Sequence, residues 1–434
     1  MIVTAIALLQ LQAVPPPPPP QDSLPQVTLA EALRRASRLD PTYVSALGQV
    51  GDAAWGRRSA RLAFIVPSIN FQSSATRYST EFFNIGTGQL ATQIVDAQLS
   101  GSYDLFRGGA KIFGLRQADA ELDAAEADEL AARFRAALDT ESDYYTVLAE
   151  HELARVARER VRRADEQLAV ARARVLAGAA VQTDSLQLLL ELTRAQVELL
   201  RQDARLKVAR LQLGRRVGTA GPVDAAPLDT LPASAIPLTE AQVAEEALSR
   251  SPRSVVARAE ARAAGAAVAT ARGGYLPNVT LFGQISTFDD RFFPNATTRS
   301  AAGVRITVPI WNNAQREIQL SRAQTNRDVV LATRKDEELA VQRDAVEALL
   351  NYNTARASAA LATEGVVVAR ENLRVQQERY RAGATTIIDL ITAQVDLAAA
   401  EADVVQARHA TRLALAGLEA LLGRRLFEEP GREP

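Results

Sequence analysis

Alternation of apolar and polar residues with period two is confined to four stretches, and a seven-residue repeat marks the helices that return between them. Ile69, Phe71 and Ala75 alternate with polar neighbours. Val95, Ala97, Leu99, Gly101, Tyr103 and Leu105 alternate with Gln98, Ser100, Ser102 and Asp104. The rhythm returns at Val279, Leu281, Gly283 and Ile285, and again at Val304, Ile306, Val308 and Ile310. Period two puts successive side chains on opposite faces of a strand. About ten residues is the length a tilted strand needs to cross a bilayer. Four strands cannot close a barrel, since small barrels hold about eight, so partner chains would have to complete one. A half-buried soluble hairpin alternates in the same way, and the pattern alone leaves both readings open.

Long helices fill the remainder. Asn312 to Arg381 contains no proline and one glycine, Gly365, which predicts a helix of up to 70 residues. At 1.5 Å rise per residue it would reach roughly 100 Å. Gly109 to Leu176 is its counterpart. The returning helices carry the heptads. Leu390, Leu397, Val404, Thr411 and Leu418 interleave with Ala393, Ala400, Ala407, Ala414 and Leu421. Leu192, Leu199, Leu206 and Leu213 interleave with Leu188, Ala195, Gln202 and Ala209. Such a seam predicts antiparallel coiled coils, the alanines letting a neighbouring helix approach closely.

These elements are written twice, with a period of about 205–211 residues. Each copy opens on a short helix that stops before a proline, Asp40-Pro41 or Ser251-Pro252. Proline is at home in the first position of the next helix. Each second helix ends at a breaker, Val66-Pro67 or Leu276-Pro277, before the strands begin. Both long helices stop at similar turns, Gly178 to Asp184 and Gly383 to Asp389, where glycine suits a left-handed cap. We divide the chain into an N-terminal segment (1–26), a first repeat (27–217), a linker (218–237), a second repeat (238–426) and a tail (427–434).

Composition narrows the class. Aromatic residues make up only 5% of the 434, and the formal net charge is −1, which gives no reason to expect nucleic acid. Cysteine is absent, which excludes disulfides and thiolate metal sites among these residues, and no N-terminal lipid anchor on cysteine is expected. The two histidines, His151 and His409, lie far apart on helical patterns. No P-loop, His-Glu-x-x-His motif, metal-ligand cluster or nucleophile elbow is present, so neither catalysis nor a cofactor or metal is expected. Met1–Val14 looks like the back part of a secretory signal, without the basic start, and Pro15–Pro20 follow as a stiff spacer. No stretch is long and apolar enough for a transmembrane helix. A membrane-spanning form would therefore be a barrel.

The order of short helix, helix, two strands, long helix, glycine turn and returning helix, written twice, resembles the TolC-like outer-membrane efflux family. Tyr380 to Gly383 and the closing Leu422-Gly423-Arg424 are similar to that family as well. The resemblance implies an α+β membrane protein whose long antiparallel coiled-coil helices are joined to four transmembrane strands. Three protomers would close a twelve-stranded barrel in the outer membrane and continue as a helical tunnel through the periplasm. The implied task is that of a passive exit duct for small molecules. An inner-membrane pump would drive it, through a hairpin-bearing periplasmic adaptor docked on the tips.

On that resemblance the tip residues are Gly178, Ala179, Ala180, Gly383, Ala384 and Thr385, whose small side chains would admit an adaptor hairpin. Asp389 falls where the family places an acidic residue at the narrow end, and threefold symmetry would make a ring of three carboxylates. A second aspartate three residues on is replaced here by Thr392, and an arginine of the second turn is replaced by Thr385. Tyr380 and Asp184 stand at tip positions in opposite copies, where a hydrogen bond would lock the turns. The plainer alternatives are that both aspartates complement helix N-termini and that Tyr380 only packs. A soluble coiled-coil scaffold or adaptor is the alternative for the whole chain, though it gives no account of four strands placed symmetrically between helices.

Overall fold

The computed structural model describes residues 24–84, 88–227, 235–290 and 297–426. The signal-like start with its proline run, the centre of the linker and the tail lie outside these residues. In chain order the elements are β1 Gln26–Val27, α1 Leu29–Leu39, α2 Pro41–Leu62, β2 Ser68–Asn84, β3 Gln89–Arg107, α3 Ala110–Leu176 and α4 Gln182–Arg216. They continue with β4 Asp224–Ala225, α5 Glu240–Arg250, α6 Pro252–Gly273, β5 Asn278–Asp289, β6 Thr297–Thr307, α7 Gln315–Arg381 and α8 Ile387–Leu422.

The duplication is kept to the residue in the second and third helices of each copy. α2 and α6 have 22 residues each, and α3 and α7 have 67 each. Pro41 and Pro252 occupy the first helical turn as their missing N–H allows. Asp40 caps α2 by accepting from Thr42 and Tyr43, whereas Ser251 makes no side-chain cap. At about 1.5 Å per residue, α3 and α7 each run roughly 100 Å. The heptad stripes face inward: Leu188, Leu213, Leu390 and Leu418 are wholly buried, and α3 packs on α4 as α7 packs on α8.

Two apolar clusters close the middle of the molecule. One joins Val27, Leu29, Tyr144, Leu206, Leu213 and Val223; the other joins Val243, Ala247, Leu349, Tyr352, Leu418 and Leu422. The linker contributes a feature that its composition does not announce. β4 pairs in parallel with β1, and the Tyr144 hydroxyl donates to the Ala226 carbonyl at 2.7 Å. Charge then ties the end of the second repeat to the first. Arg425 contacts Glu141 on α3 at 2.5 Å and Glu419 on α8 at 2.7 Å, and both carboxylates are buried. Burial opposes the charge on Arg425, but the two glutamates outweigh it and hold its pKa above the ordinary arginine value.

The four long strands form one antiparallel sheet in the order β2-β3-β5-β6. β3 and β5 join the repeats at its centre, and β2 and β6 are its edges. Register sorts the faces: Phe71, Leu99 and Ile285 stand in one row, and Tyr103, Leu281 and Val304 in another. The opposite face carries Gln72, Gln98 and Ser286, with the Thr280 hydroxyl donating to Asp104 at 2.8 Å. Ile69, Phe71 and Val304 are more than half exposed. An apolar face turned outward and a polar face on the other side is the arrangement of a lipid-facing barrel wall.

β6 stops at Thr307, short of the expected Val308 and Ile310, because Pro309 brings no N–H to the ladder. The long helix of the second repeat likewise starts three residues later than expected. Asn313 and Ala314 take left-handed backbone, φ 56° and 59°, where the first repeat has Gly108 and Gly109 at 53° and 76°. A Cβ on Gly109 would come within 2.8 Å of Phe113. Ile318 stands in the place of Phe113, leaving room for the Cβ of Ala314 but not removing its backbone strain.

Two outcomes are expected from thermal unfolding in detergent. Ala314→Gly should stabilise the protein by about 1 kcal/mol, the order of the left-handed penalty for a residue with a Cβ. Arg425→Ala should cost about 3–5 kcal/mol by stranding two buried carboxylates, and a loss under 1 kcal/mol would show that water satisfies them.

Candidate gate at the paired helical turns

The two turns at the end of the long hairpins are built alike. Gly178 and Gly383 adopt φ 71° and 72°. Ala179 donates to the Arg174 carbonyl, and Ala384 to the Arg379 carbonyl, each at 2.8 Å. An arginine side chain braces each turn, Arg174 reaching the Ala179 carbonyl at 3.3 Å and Arg379 that of Ala384 at 3.4 Å. Beneath them Leu168, Ala171, Leu188, Leu373, Ile387 and Leu390 form a cluster that draws both hairpins together.

Tyr380 and Asp184 do meet. The Tyr380 hydroxyl donates to Asp184 Oδ2 at 3.1 Å, and the ring is 5% exposed, so the residue both packs and bonds. Burial, then the Asp184 charge and its hydrogen bond, raise the Tyr380 pKa above 10.0, so the hydroxyl keeps its proton at neutral pH. Arg174, which the sequence analysis did not single out, completes the joint. It donates to the Tyr380 carbonyl at 2.5 Å and its guanidinium lies 4.7 Å from the Tyr380 ring centroid. The signal for it was available, since Arg174 and Arg379 hold the same place in the two copies.

Asp389 is held differently. It is exposed, and its Oδ2 accepts from the Thr386 hydroxyl at 2.7 Å, the Thr385 hydroxyl at 2.8 Å and the Thr386 N–H at 3.1 Å. With Asp389 N–H returned to Thr386 this is a capping box at the start of α8. The Thr386 hydroxyl first, then that of Thr385 and the Thr386 N–H, lower its pKa below 3.8. A depressed carboxylate pKa makes this cap fully present above the ordinary range and lost as pH falls through the lowered value. Thr392 is exposed one turn further on, and Gly178, Ala179, Gly383 and Ala384 are exposed, with Ala180 and Thr385 half-buried. Thr385 therefore serves the Asp389 cap as well as the surface of the tip.

The repeats differ at one decisive position. Val175 in α3 is the counterpart of Tyr380 in α7, so Asp389 has no tyrosine in the first copy to match the partner of Asp184. No group of His, Asp and Glu with metal-binding geometry occurs among the described residues.

A duplicated helical duct joined to an open sheet, one face of it apolar and exposed, defines a class of channel-forming membrane protein. Residues 49–219 and 243–424 match the outer membrane efflux protein family, and the chain belongs to that family. It is accordingly an outer-membrane protein that reaches into the periplasm and serves as an exit duct for efflux. Over 340 residues it is 28% identical to the pyoverdine export outer membrane protein OpmQ of Pseudomonas aeruginosa, covering 77% of this chain and 70% of OpmQ. Its fold is that of VceC from Vibrio cholerae, with TM-score 0.76 and 19% identity over 92% of this chain and 97% of VceC. The Campylobacter jejuni CmeC channel superimposes with TM-score 0.78 at 16% identity, over 92% of this chain and 87% of CmeC.

Tyr380→Phe keeps the packing and removes one bond, which is worth about 1 kcal/mol net. Amide hydrogen exchange in the turns 177–184 and 382–389 should then rise about fivefold. Unchanged exchange would mean that the apolar cluster and Arg174 hold the joint alone.

Proposed function

We propose that three copies assemble into a closed passive duct, and that the tip described above is its periplasmic gate. The observation that carries this reading is the single sheet with β2 and β6 unpaired at its edges. Backbone groups inside a bilayer need partners, and β6 of one copy beside β2 of the next supplies them. The contact between repeats inside the chain, β3 on β5 and α3 on α8, is the template for the contact between chains. Three sheets of four strands then close a barrel of twelve, with the polar face lining the lumen.

At the tip, Asp184 and Tyr380 lock the two hairpins of one protomer, and three Asp389 carboxylates stand around the narrow end as a cation-favouring constriction. Gly178, Ala179, Ala180, Gly383, Ala384 and Thr385 offer the low surface on which a periplasmic adaptor hairpin docks, and an inner-membrane pump drives transport. No step needs chemistry from this chain. The cargo class is a small molecule, in keeping with export of pyoverdine by the relative OpmQ.

Single-channel recording in planar bilayers tests the duct and the gate together. Cation-selective openings are expected, with selectivity lost in Asp389→Ala. Openings whose selectivity is untouched by Asp389→Ala would retain the duct and discard the carboxylate ring. Protein that never inserts would overturn the duct.

A further inference from the structure

On the polar face of the sheet two phenylalanines break the pattern. Phe282 and Phe288 of β5 stand on the side of Gln98 and Ser286, with Ser102 and Asp96 as their partners on β3. In a closed wall this side meets water, yet neither ring is left bare. Arg305 of β6 stacks on Phe282 with its guanidinium carbon 4.9 Å from the ring centroid, and Arg299 stacks on Phe288 at 5.3 Å. Register accounts for both contacts, since Arg305 pairs with Thr280 and Arg299 with Ser286, each on the same face and next to its phenylalanine. Gly303 pairs with Phe282, and a Cβ there would come within 3.0 Å of the ring. Glycine at that position lets the ring lie down on the β6 backbone, within reach of Arg305.

Both arginines are exposed, and among the described residues neither is paired with a carboxylate. The acids of this face, Asp96 and Asp104, lie on β3 beyond β5, where Ser74 and Thr280 donate to them. Positive charge is therefore a column on β6, and Arg299 and Arg305 stand roughly 20 Å apart along it at the rise of a strand. A guanidinium laid flat on a ring keeps its N–H edge free. It loses little freedom when that edge meets a carboxylate or sulfonate through two parallel bonds. The phenylalanine beneath offers apolar surface to a flat ring that carries the acid. Gln284, on the same face between the two stacks and bonded to Gln98 at 3.3 Å, adds an amide for a polar substituent.

We propose that the polar face of β5 and β6 binds anionic aromatic cargo, with Arg305 and Phe282 as one station and Arg299 and Phe288 as a second nearer the outside. The proposal rests on the duct reading above, which turns this face toward the lumen. In a ring of three copies each station recurs three times at one level. The barrel then holds two tiers of positive charge, and rings of arginine are what an anion-conducting pore uses. Asp389 lies at the far end of α7, roughly 100 Å away at the rise of a helix. That is well beyond the roughly 8 Å over which charges act on each other in physiological salt, so its ring does not set the sign of the barrel.

Trimers of the full chain in nanodiscs of zwitterionic lipid provide the test, with pyrenetetrasulfonate as the probe and its fluorescence anisotropy as the readout. The charge of the probe keeps it out of the bilayer, and it reaches the barrel from outside whether the tips are open or shut. Saturable binding that weakens as salt is raised is expected. Arg305→Gln and Arg299→Gln should each weaken it about tenfold through the loss of one two-bond contact, and the double variant should abolish it. Phe282→Leu keeps the charge and should weaken binding about fivefold. Arg305→Lys keeps the charge without the planar fork and should cost about threefold; it carries the comparison if a glutamine variant does not trimerise. Conducting trimers that do not bind the probe would overturn this site and leave the duct standing. So would binding that survives the loss of both arginines, or that neither Phe282→Leu nor Arg305→Lys moves. Protein that neither trimerises nor conducts would overturn the duct and the site with it.

Discussion

The hydrogen-bonding demand of a strand edge governs this molecule. β2 and β6 each turn one row of N–H and C=O groups away from their own sheet, and hydrocarbon offers no water to receive them. A chain with four strands can neither hide these groups nor curl the sheet shut. The apolar outer face makes the same demand in another form, since Phe71 and Val304 are favourable against lipid and unfavourable in water. Closure by further copies answers both at once, and the helices extend that closure far below the sheet.

Duplication suits such an assembly, because the contacts between repeats offer a template for contacts between chains. The departures from symmetry are then the informative positions. Tyr380 against Val175 gives Asp184 a phenolic partner within the chain, a partner for which the first copy has no tyrosine to offer Asp389. Gly109 against Ala314 preserves a left-handed turn from strand to helix although the second copy lacks the residue best suited to it. Arg425 ties the end of the second repeat to α3, so the two halves of one chain are held more firmly than packing alone provides. Together these features tie the two halves of one chain to each other at the tip and at the middle of the helices.

Much of this was legible in the residues. Proline, glycine and the change of period marked the helix ends to within a few positions, since each acts through local backbone geometry. The heptads revealed the seams because burial along a coiled coil repeats with the helix itself. The pairing of β1 with β4 was not legible, as two residues of strand carry no periodic signal. Nor could spacing choose between roles for Asp389. Its link to Thr385 and Thr386 depends on how the turn folds back, and the same carboxylate can cap a helix and still project its charge into a pore. Arg174 escaped notice for the opposite reason: one arginine among 50 basic residues looks like a solvated surface until the second hairpin is laid beside it.

The two strand pairs differ in height. β2 and β3 have 17 and 19 residues, while β5 and β6 have 12 and 11. About ten tilted residues traverse the hydrocarbon, so the shorter pair ends near the outer surface and the longer one stands clear of it. In a closed ring the rim is crenellated, three raised ribbons alternating with three low ones. An antibody or any other large body arriving from outside touches the raised ribbons before it touches the mouth. The edge-to-face pair of Tyr78 and Phe82 lies on this longer ribbon, past the level at which β3 leaves β5.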